Sequence, residues 1–201
     1  MDPLTDFPID YVGVLGTAGP EDLDELVKFL MEELPYRWCD EYRAMIRHEP
    51  YILNVPDRGF NFLFDLTLAN HDKDDPARPD DRVVAAYGLS RAPEGGRDAS
   101  RIRGFGVIGG LSRGPMDKGH LMAHSMGGSL DINIFPQRPE VNRGRSARGR
   151  VYRSMEKYAA NHPGTFVFSR PIYADDTWVP HALEYGVLLP EPRFWVERFP
   201  N

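Results

Sequence analysis

Between Asp117 and Glu156 the sequence concentrates side chains that can move protons and bind cations. Two imidazoles, His120 and His124, lie four residues apart, and a neutral imidazole near pH 7 can accept a proton from water. Asn142 and Glu156 add an amide and a carboxylate, whose oxygen atoms are the ligands that hard divalent cations prefer. This set of groups predicts acid–base chemistry beside a bound metal ion.

Each histidine also has a structural explanation. His120 follows Gly119, so the backbone there can take an irregular geometry that directs the imidazole outward; alternatively, the ring caps or hydrogen-bonds a turn. On a helix, His120 and His124 would share one face, as zinc ligands do. Gly127 and Gly128 soon break any helix, and no third ligand stands at the spacing of a zinc site. The sequence therefore does not favour zinc.

The oxygen donors are open to two interpretations. Asn142 can offer its amide oxygen to Mg²⁺, which keeps several waters and needs few protein ligands, or it can be a turn residue before Arg143. Glu156 can orient water in the outer shell of that ion, or it can be a surface carboxylate. Asn133 and Gln137 are expected to hold the loop by hydrogen bonds, whatever the function.

Charge is distributed unevenly along the chain. Residues 1–100 contain 10 Lys and Arg against 21 Asp and Glu, whereas residues 101–201 contain 14 against 9. The positive charge is densest in one segment, which contains Arg138, Arg143, Arg145, Arg148, Arg150, Arg153 and Lys157. Such a segment either faces a polyanion or forms a solvated helix face. The acidic first half argues against binding of nucleic acid over the whole surface.

Hydrophobic spacing predicts the elements that must position these groups. In the first half, leucines at helical spacing predict an amphipathic helix over residues 20–34, which Pro35 should end. In the second half, a helix is predicted over Ser146–Asn161. Strands are predicted where aromatic, aliphatic and β-branched residues are dense: Tyr11–Leu15, Phe60–Leu68, Val83–Leu89, Arg103–Leu111, Thr165–Tyr173, Ala182–Leu189 and Arg193–Phe199. The fold class expected is α+β, with a mainly antiparallel sheet.

Taken together, the motifs resemble the DNA/RNA non-specific endonuclease family, the ββα-metal or His-Me finger nucleases, and particularly the branch found as bacterial toxin modules. The resemblance covers roughly residues 101–190. Four pieces carry it in the family's order: Asp117-Lys118-Gly119-His120, Asn133-Ile134-Phe135-Pro136-Gln137, Asn142 and Glu156. It implies a ββα-metal nuclease core over residues 101–201 and an acidic N-terminal α/β elaboration over residues 1–100, packed on the same domain.

The resemblance also implies roles. His120 is the expected general base, and Asn142 the expected direct ligand of Mg²⁺, with Mn²⁺ as an alternative. Glu156 is expected to contact the same ion through a water molecule rather than directly. Asp117, Lys118 and Asn133 complete the expected catalytic set, with Lys118 standing where the family usually has an arginine. Phosphate contacts are expected from the arginines near these motifs: Arg113, Arg138, Arg143, Arg145 and Arg148. Arg103 and Arg113 are both candidates for an arginine that stabilises the transition state.

The function expected from this combination is Mg²⁺-dependent, non-specific cleavage of DNA, RNA or both. An alternative is a catalytically inactive adaptor that binds nucleic acid or protein on the same scaffold, and a third is hydrolysis of another phosphodiester, because a fold does not fix a substrate. A non-specific nuclease would endanger its own cell. That lethality suggests a toxin or defence effector with a protein inhibitor as partner.

Composition excludes other classes. Of 201 residues, 41% are hydrophobic, so wholesale disorder is excluded. No apolar run is long enough to span a membrane. A single cysteine, Cys39, cannot form an internal disulfide. The first residues contain neither a basic region nor an apolar stretch, so a cytoplasmic location, or export without a cleaved signal peptide, is expected.

Overall fold

The computed structural model describes residues 9–19, 22–67, 82–95, 116–175 and 178–201. Within them the chain has an α+β fold with four α-helices, namely α1 (Tyr11–Ala18), α2 (Leu23–Met45), α3 (Pro139–Asn142) and α4 (Ala147–Asn161). The strands in this part of the chain are β1 (Ile52–Asp57), β2 (Phe60–Asp65), β3 (Arg82–Leu89), β4 (Asp117–His120), β5 (Ile134–Gln137), β6 (Phe166–Ile172), β7 (Ala182–Leu189) and β8 (Arg193–Pro200). The predicted strand Arg103–Leu111 and the candidate Arg113 lie outside the described residues.

Six strands form one antiparallel sheet in the order β1-β2-β3-β6-β7-β8, while β4 and β5 form a separate hairpin. The centre of the sheet joins the two halves of the chain, since β3 pairs with β6 and places Ala86 opposite Ser169. Each half therefore contributes three strands to the same sheet. The division of the chain at residue 100 into an elaboration and a nuclease core stays a prediction.

The two faces of the sheet carry different cores, because alternate residues of a strand point to opposite faces. Phe62 and Ala86 pack with residues of the hairpin and α4. Their neighbours Leu63 and Tyr87 pack with residues of α1 and α2. The sheet thus separates α1 and the acidic α2 on one face from the motif-bearing segment on the other. Within the described part of the chain, every helix is too short or too polar to span a bilayer.

The predicted strand at Tyr11–Leu15 was wrong, because this segment is helix α1. The side chain of Asp10 accepts a hydrogen bond from the backbone N–H of Gly13 at 2.9 Å and so caps the helix. Tyr11 and Val14, three residues apart, are the buried positions. The short apolar run suggested a strand, but the cap and this spacing give a helix.

The predicted end of the next helix at Pro35 was also wrong. Helix α2 begins at Leu23, three residues after the predicted start, with the Asp22 side chain accepting from the N–H of Glu25 at 2.9 Å. It continues to Met45 with Pro35 inside it. Proline removes one backbone hydrogen bond. Burial of Trp38 and Tyr42 beyond it, in phase with the earlier leucines, keeps the chain helical.

The remaining predicted elements within the described residues are confirmed with small shifts of their ends. Helix α4 begins one residue after Ser146, whose hydroxyl accepts from the N–H of Gly149 at 2.9 Å. Strands β2, β3, β6, β7 and β8 lie where the aromatic and aliphatic runs predicted them. The sequence did not predict β1 or the β4–β5 hairpin, whose strands are short and interrupted by proline or glycine.

A buried ionic cluster fixes α1 and α2 to the sheet. Glu184 on β7 is fully buried and accepts from Arg170 Nε at 3.1 Å and from Arg198 Nη2 at 2.9 Å. The hydroxyl of Tyr11 donates to the same carboxylate. Arg170 also pairs with Glu41 on α2. One carboxylate therefore joins a helix and three strands through charge-assisted hydrogen bonds.

Candidate active site

The hairpin β4–β5 carries the first motif residues. Its register places Gly119 opposite Phe135 and His120 opposite Ile134. Position 119 has no room for a side chain, because a Cβ there would lie 2.5 Å from the Cβ of Gln137. The glycine of the motif is thus explained by the packing of Gln137 across the hairpin.

The loop between the two strands is held by one buried amide. Asn133 is fully buried; its Oδ1 accepts from the N–H of Met122, and its Nδ2 donates to the carbonyls of Met122 and Ser129, each at 2.7 Å. Gly128 allows the loop to close, since a Cβ there would lie 1.9 Å from the carbonyl oxygen of Met122. Asn133, predicted among the catalytic residues, holds the loop that follows His120.

Replacing Asn133 by alanine is therefore expected to lower the free energy of unfolding by about 3 kcal/mol, because it leaves one buried N–H and two buried carbonyls without their partner. Urea denaturation of the purified variant measures the effect. The matched control is Asn161→Ala, at an exposed position of α4, which should change stability by less than about 0.5 kcal/mol. Equal stability of both variants would contradict this role of Asn133.

Three candidates from separate parts of the sequence line one pocket of about 220 Å³. They are His120 from β4, Asn142 from α3 and Glu156 from α4. His120 and Glu156 are 8% and 5% exposed, so both side chains are almost entirely buried. The remaining lining residues are Ala123, His124, Ser125 and Arg153.

Asp117 orients Asn142 from outside the lining of this pocket. Its Oδ2 accepts from Asn142 Nδ2 at 2.9 Å and from Arg143 Nε at 2.7 Å, while Arg143 Nη2 donates to its Oδ1. Burial acts to raise the pKa of Asp117, but the hydrogen bonds from Arg143 and Asn142 outweigh it and hold the pKa below the usual range. The carboxylate stays charged at neutral pH, and the amide nitrogen of Asn142 is engaged, which leaves its oxygen as the remaining polar atom.

Helix α4 fixes both Glu156 and His120. The hydroxyl of Tyr152 donates to the backbone carbonyl of His120 at 3.2 Å, and burial raises the pKa of Tyr152 well above its ordinary value, so this phenol stays protonated. One turn on, Glu156 accepts from Arg153 Nη1 at 2.8 Å. Gly149 lets α3 approach α4, because a Cβ there would lie 2.2 Å from the carbonyl oxygen of Glu140.

The predicted phosphate-binding arginines divide into two groups. Arg138, Arg143 and Arg145 are exposed, although Arg143 is also bound to Asp117. Arg148 instead packs on β8: it donates to Glu197 Oε2 at 2.9 Å, and its guanidinium lies 5.1 Å from the centre of the Phe199 ring. The structure thus places Arg148 in a packing role.

Lys118 lies half-buried on β4, between Asp117 and Gly119, and is not among the pocket-lining residues. Of the lining residues outside the predicted site, two have ionisable side chains: His124, which the sequence suggested only as a zinc ligand, and Arg153, which appeared only as part of the basic segment. Helical spacing was the available signal for Arg153, since it precedes Glu156 by three residues and so shares its side of α4.

The described residues contain no group of three or more His, Cys, Asp and Glu side chains that could hold a metal ion. No family model matches the chain, and no curated protein does. Among solved structures, it is similar to the Sda1 nuclease with bound zinc ion, at 16% identity and a TM-score of 0.35, over 80% of this chain and 65% of that one. A likeness this distant carries no argument about the fold or function of the present chain.

Proposed function

We propose that the chain is a Mg²⁺-dependent, non-specific endonuclease that hydrolyses phosphodiester bonds in DNA, RNA or both. One observation carries the proposal: His120, Asn142 and Glu156, which are far apart in sequence, line a single pocket. In-line attack on a phosphodiester requires a base on one side of phosphorus and positive charge at the leaving oxygen on the other. The imidazole can supply the base, and the two oxygen-bearing side chains beside it can hold the cation that would supply the charge.

In this mechanism, His120 accepts a proton from a water molecule on a nitrogen of its imidazole. The water oxygen forms a bond to phosphorus while the bond from phosphorus to the leaving oxygen breaks, and the leaving oxygen takes up a proton from solvent. Tyr152 holds the backbone of His120 through its carbonyl, so the imidazole is presented from a fixed strand. Because the base is held in one position, less entropy is lost in reaching the reactive geometry.

The donor set fits Mg²⁺. Asn142 would hold the ion through its amide oxygen, which the bond from its nitrogen to Asp117 orients, and Glu156 would act from the outer shell. Mg²⁺ is bound in proteins by few side chains and keeps several waters. When bound, it supplies positive charge beside the phosphate and the leaving oxygen; Mn²⁺ has the same oxygen preference.

The surroundings of the pocket support the same class. A hairpin, β4–β5, is followed along the chain by α3 and α4, which is the order of elements that a ββα-metal core requires. Arg138 and Arg145 are exposed near this unit, and phosphate contacts of this kind carry no base specificity. These features favour cleavage that is independent of base sequence.

The test is incubation of the purified protein with supercoiled plasmid and with total RNA, in Mg²⁺ and in EDTA. Degradation in Mg²⁺ and none in EDTA is the expected result, and the relative rates on the two substrates rank DNA against RNA. Intact substrates in both Mg²⁺ and Mn²⁺, with a folded protein, would overturn the proposal and favour the adaptor function.

A further inference from the structure

Helix α4 presents a face that carries positive charge alone. Its exposed residues are Ala147, Arg150, Arg153, Ser154, Lys157 and Asn161. Three of them are cations and none is a carboxylate. At 100° per residue, Arg150, Arg153 and Lys157 fall within a narrow arc of the helix surface, opposite the buried residues Tyr152 and Met155. The charges therefore form a stripe along the helix.

A stripe of this kind differs from an ordinary solvated helix face, in which both signs of charge alternate. On α2, Arg37 pairs with Glu33 at 2.7 Å and Arg43 pairs with Asp40 at 3.0 Å. Within the part of the chain that the structure describes, neither Arg150 nor Lys157 forms an ion pair. Among the residues that the structure describes, the charges of Arg150 and Lys157 are therefore not balanced by a neighbouring carboxylate.

Arg153 connects the stripe to the pocket. Its side chain is 60% exposed, yet Nη1 donates to Glu156 Oε2 at 2.8 Å and the residue lines the pocket with His120. The buried carboxylate of Glu156 thus holds a solvent-facing guanidinium at the edge of the cavity. A group bound in the pocket would lie beside this cation, which has Arg150 and Lys157 on either side of it along the helix.

We propose that the stripe of Arg150, Arg153 and Lys157 is a track for the phosphate backbone of one nucleic-acid strand, continuous with the phosphate in the pocket. This inference rests on the proposed function for the position of the cleaved phosphate. Arg150 and Lys157 are separated by about 10 Å at 1.5 Å per residue. Projected on the axis of a duplex, where one strand carries a phosphate about every 3.4 Å, that distance corresponds to roughly three phosphates.

The track is tested by binding rather than by cleavage. The full chain carrying His120→Ala is titrated, in Mg²⁺, into a fluorescent oligonucleotide of mixed sequence, single-stranded or duplex, between about 50 mM and 200 mM salt. Arg150→Gln and Lys157→Gln are added singly and together. Each is expected to weaken binding several-fold and to reduce the slope of log K against log salt by about 0.7 to 0.9. Arg153→Gln should do the same.

The matched controls are Arg37→Gln and Arg43→Gln, exposed arginines on α2 beyond the opposite face of the sheet, which should leave the slope unchanged. An unchanged slope for the Arg150→Gln, Lys157→Gln double variant, or an equal effect of the controls, would overturn the track. The result is separable from the nuclease proposal. Stripe-dependent binding without cleavage by the unsubstituted chain would refute only the nuclease, and cleavage with stripe-independent binding would refute only the track.

Discussion

Replacement of His120 by alanine is expected to lower Mg²⁺-dependent cleavage of plasmid and RNA at least a hundredfold, since general base catalysis contributes about 10² to 10⁴ in rate. The fold should survive. The backbone carbonyl of residue 120 accepts from Tyr152 on α4 at 3.2 Å, and alanine keeps that carbonyl. The variant should therefore melt near the temperature of the unsubstituted chain and bind oligonucleotide as tightly.

His181→Ala is the matched control, because this histidine is exposed and is not among the residues that line the pocket. This variant should cleave plasmid and RNA at the rate of the unsubstituted chain. His124→Ala addresses the second imidazole of the pocket. If His124 were the base, its variant would lose the activity and the His120 variant would keep it. Full activity in both variants would show that the cleavage comes from another site or another protein.

Replacement of Glu184 by glutamine is expected to cause the largest loss of stability, about 3 to 5 kcal/mol, because it leaves Arg170 and Arg198 buried without their shared carboxylate. The amide has nearly the same shape, so the loss reports charge and hydrogen bonding rather than a cavity. Urea denaturation gives the free energy of unfolding. The matched control is Glu33→Gln at the exposed pair with Arg37, where about 0 to 1 kcal/mol is expected.

The same carboxylate should make stability depend on pH. Burial acts to raise the pKa of Glu184, but Arg170, Tyr11 and Arg198 outweigh it and lower the pKa below the ordinary value, about 4.3 for glutamate. A lowered pKa in the folded state contributes stability that is full above the ordinary value and is lost as the pH falls towards the folded value. The free energy of unfolding, measured from neutral pH to below pH 4, should fall less steeply for Glu184→Gln than for the unsubstituted chain. Parallel acid profiles for the two proteins would contradict this assignment.

Local patterns predicted much of the fold. The spacing of apolar residues found α4, and dense β-branched and aromatic runs found five of the six strands of the sheet, all but β1. The failures have physical causes. At Tyr11–Ala18 the cap by Asp10 and burial on the sheet outweighed strand propensity, and at Pro35 the burial of Trp38 outweighed a lost hydrogen bond. Tertiary packing determined the structure of both segments, and a short stretch of sequence does not contain the residues against which each segment packs.

For the site, the sequence identified candidate residues by their chemical type, but it did not show which of them lie in contact. The sequence offered His120, Asn142 and Glu156 as candidates, but only the crossing of α3, α4 and β4 brings them to one pocket. Arg148 and Arg153 look alike in sequence, within one basic helix. Their difference arises because one side of α4 packs on β8 and another borders the pocket, which depends on strands that come later in the chain.

Tyr152, which holds the backbone of His120, is itself packed between Tyr185 on β7 and Phe199 on β8, with ring centres 5.4 Å and 5.2 Å away. Both strands follow every candidate site residue in the chain. During synthesis the site therefore lacks its support until β8 has left the ribosome, an interval on the order of seconds at usual elongation rates. A nascent chain that already contains every candidate side chain is expected to be inactive, so any inhibitor has that interval in which to bind.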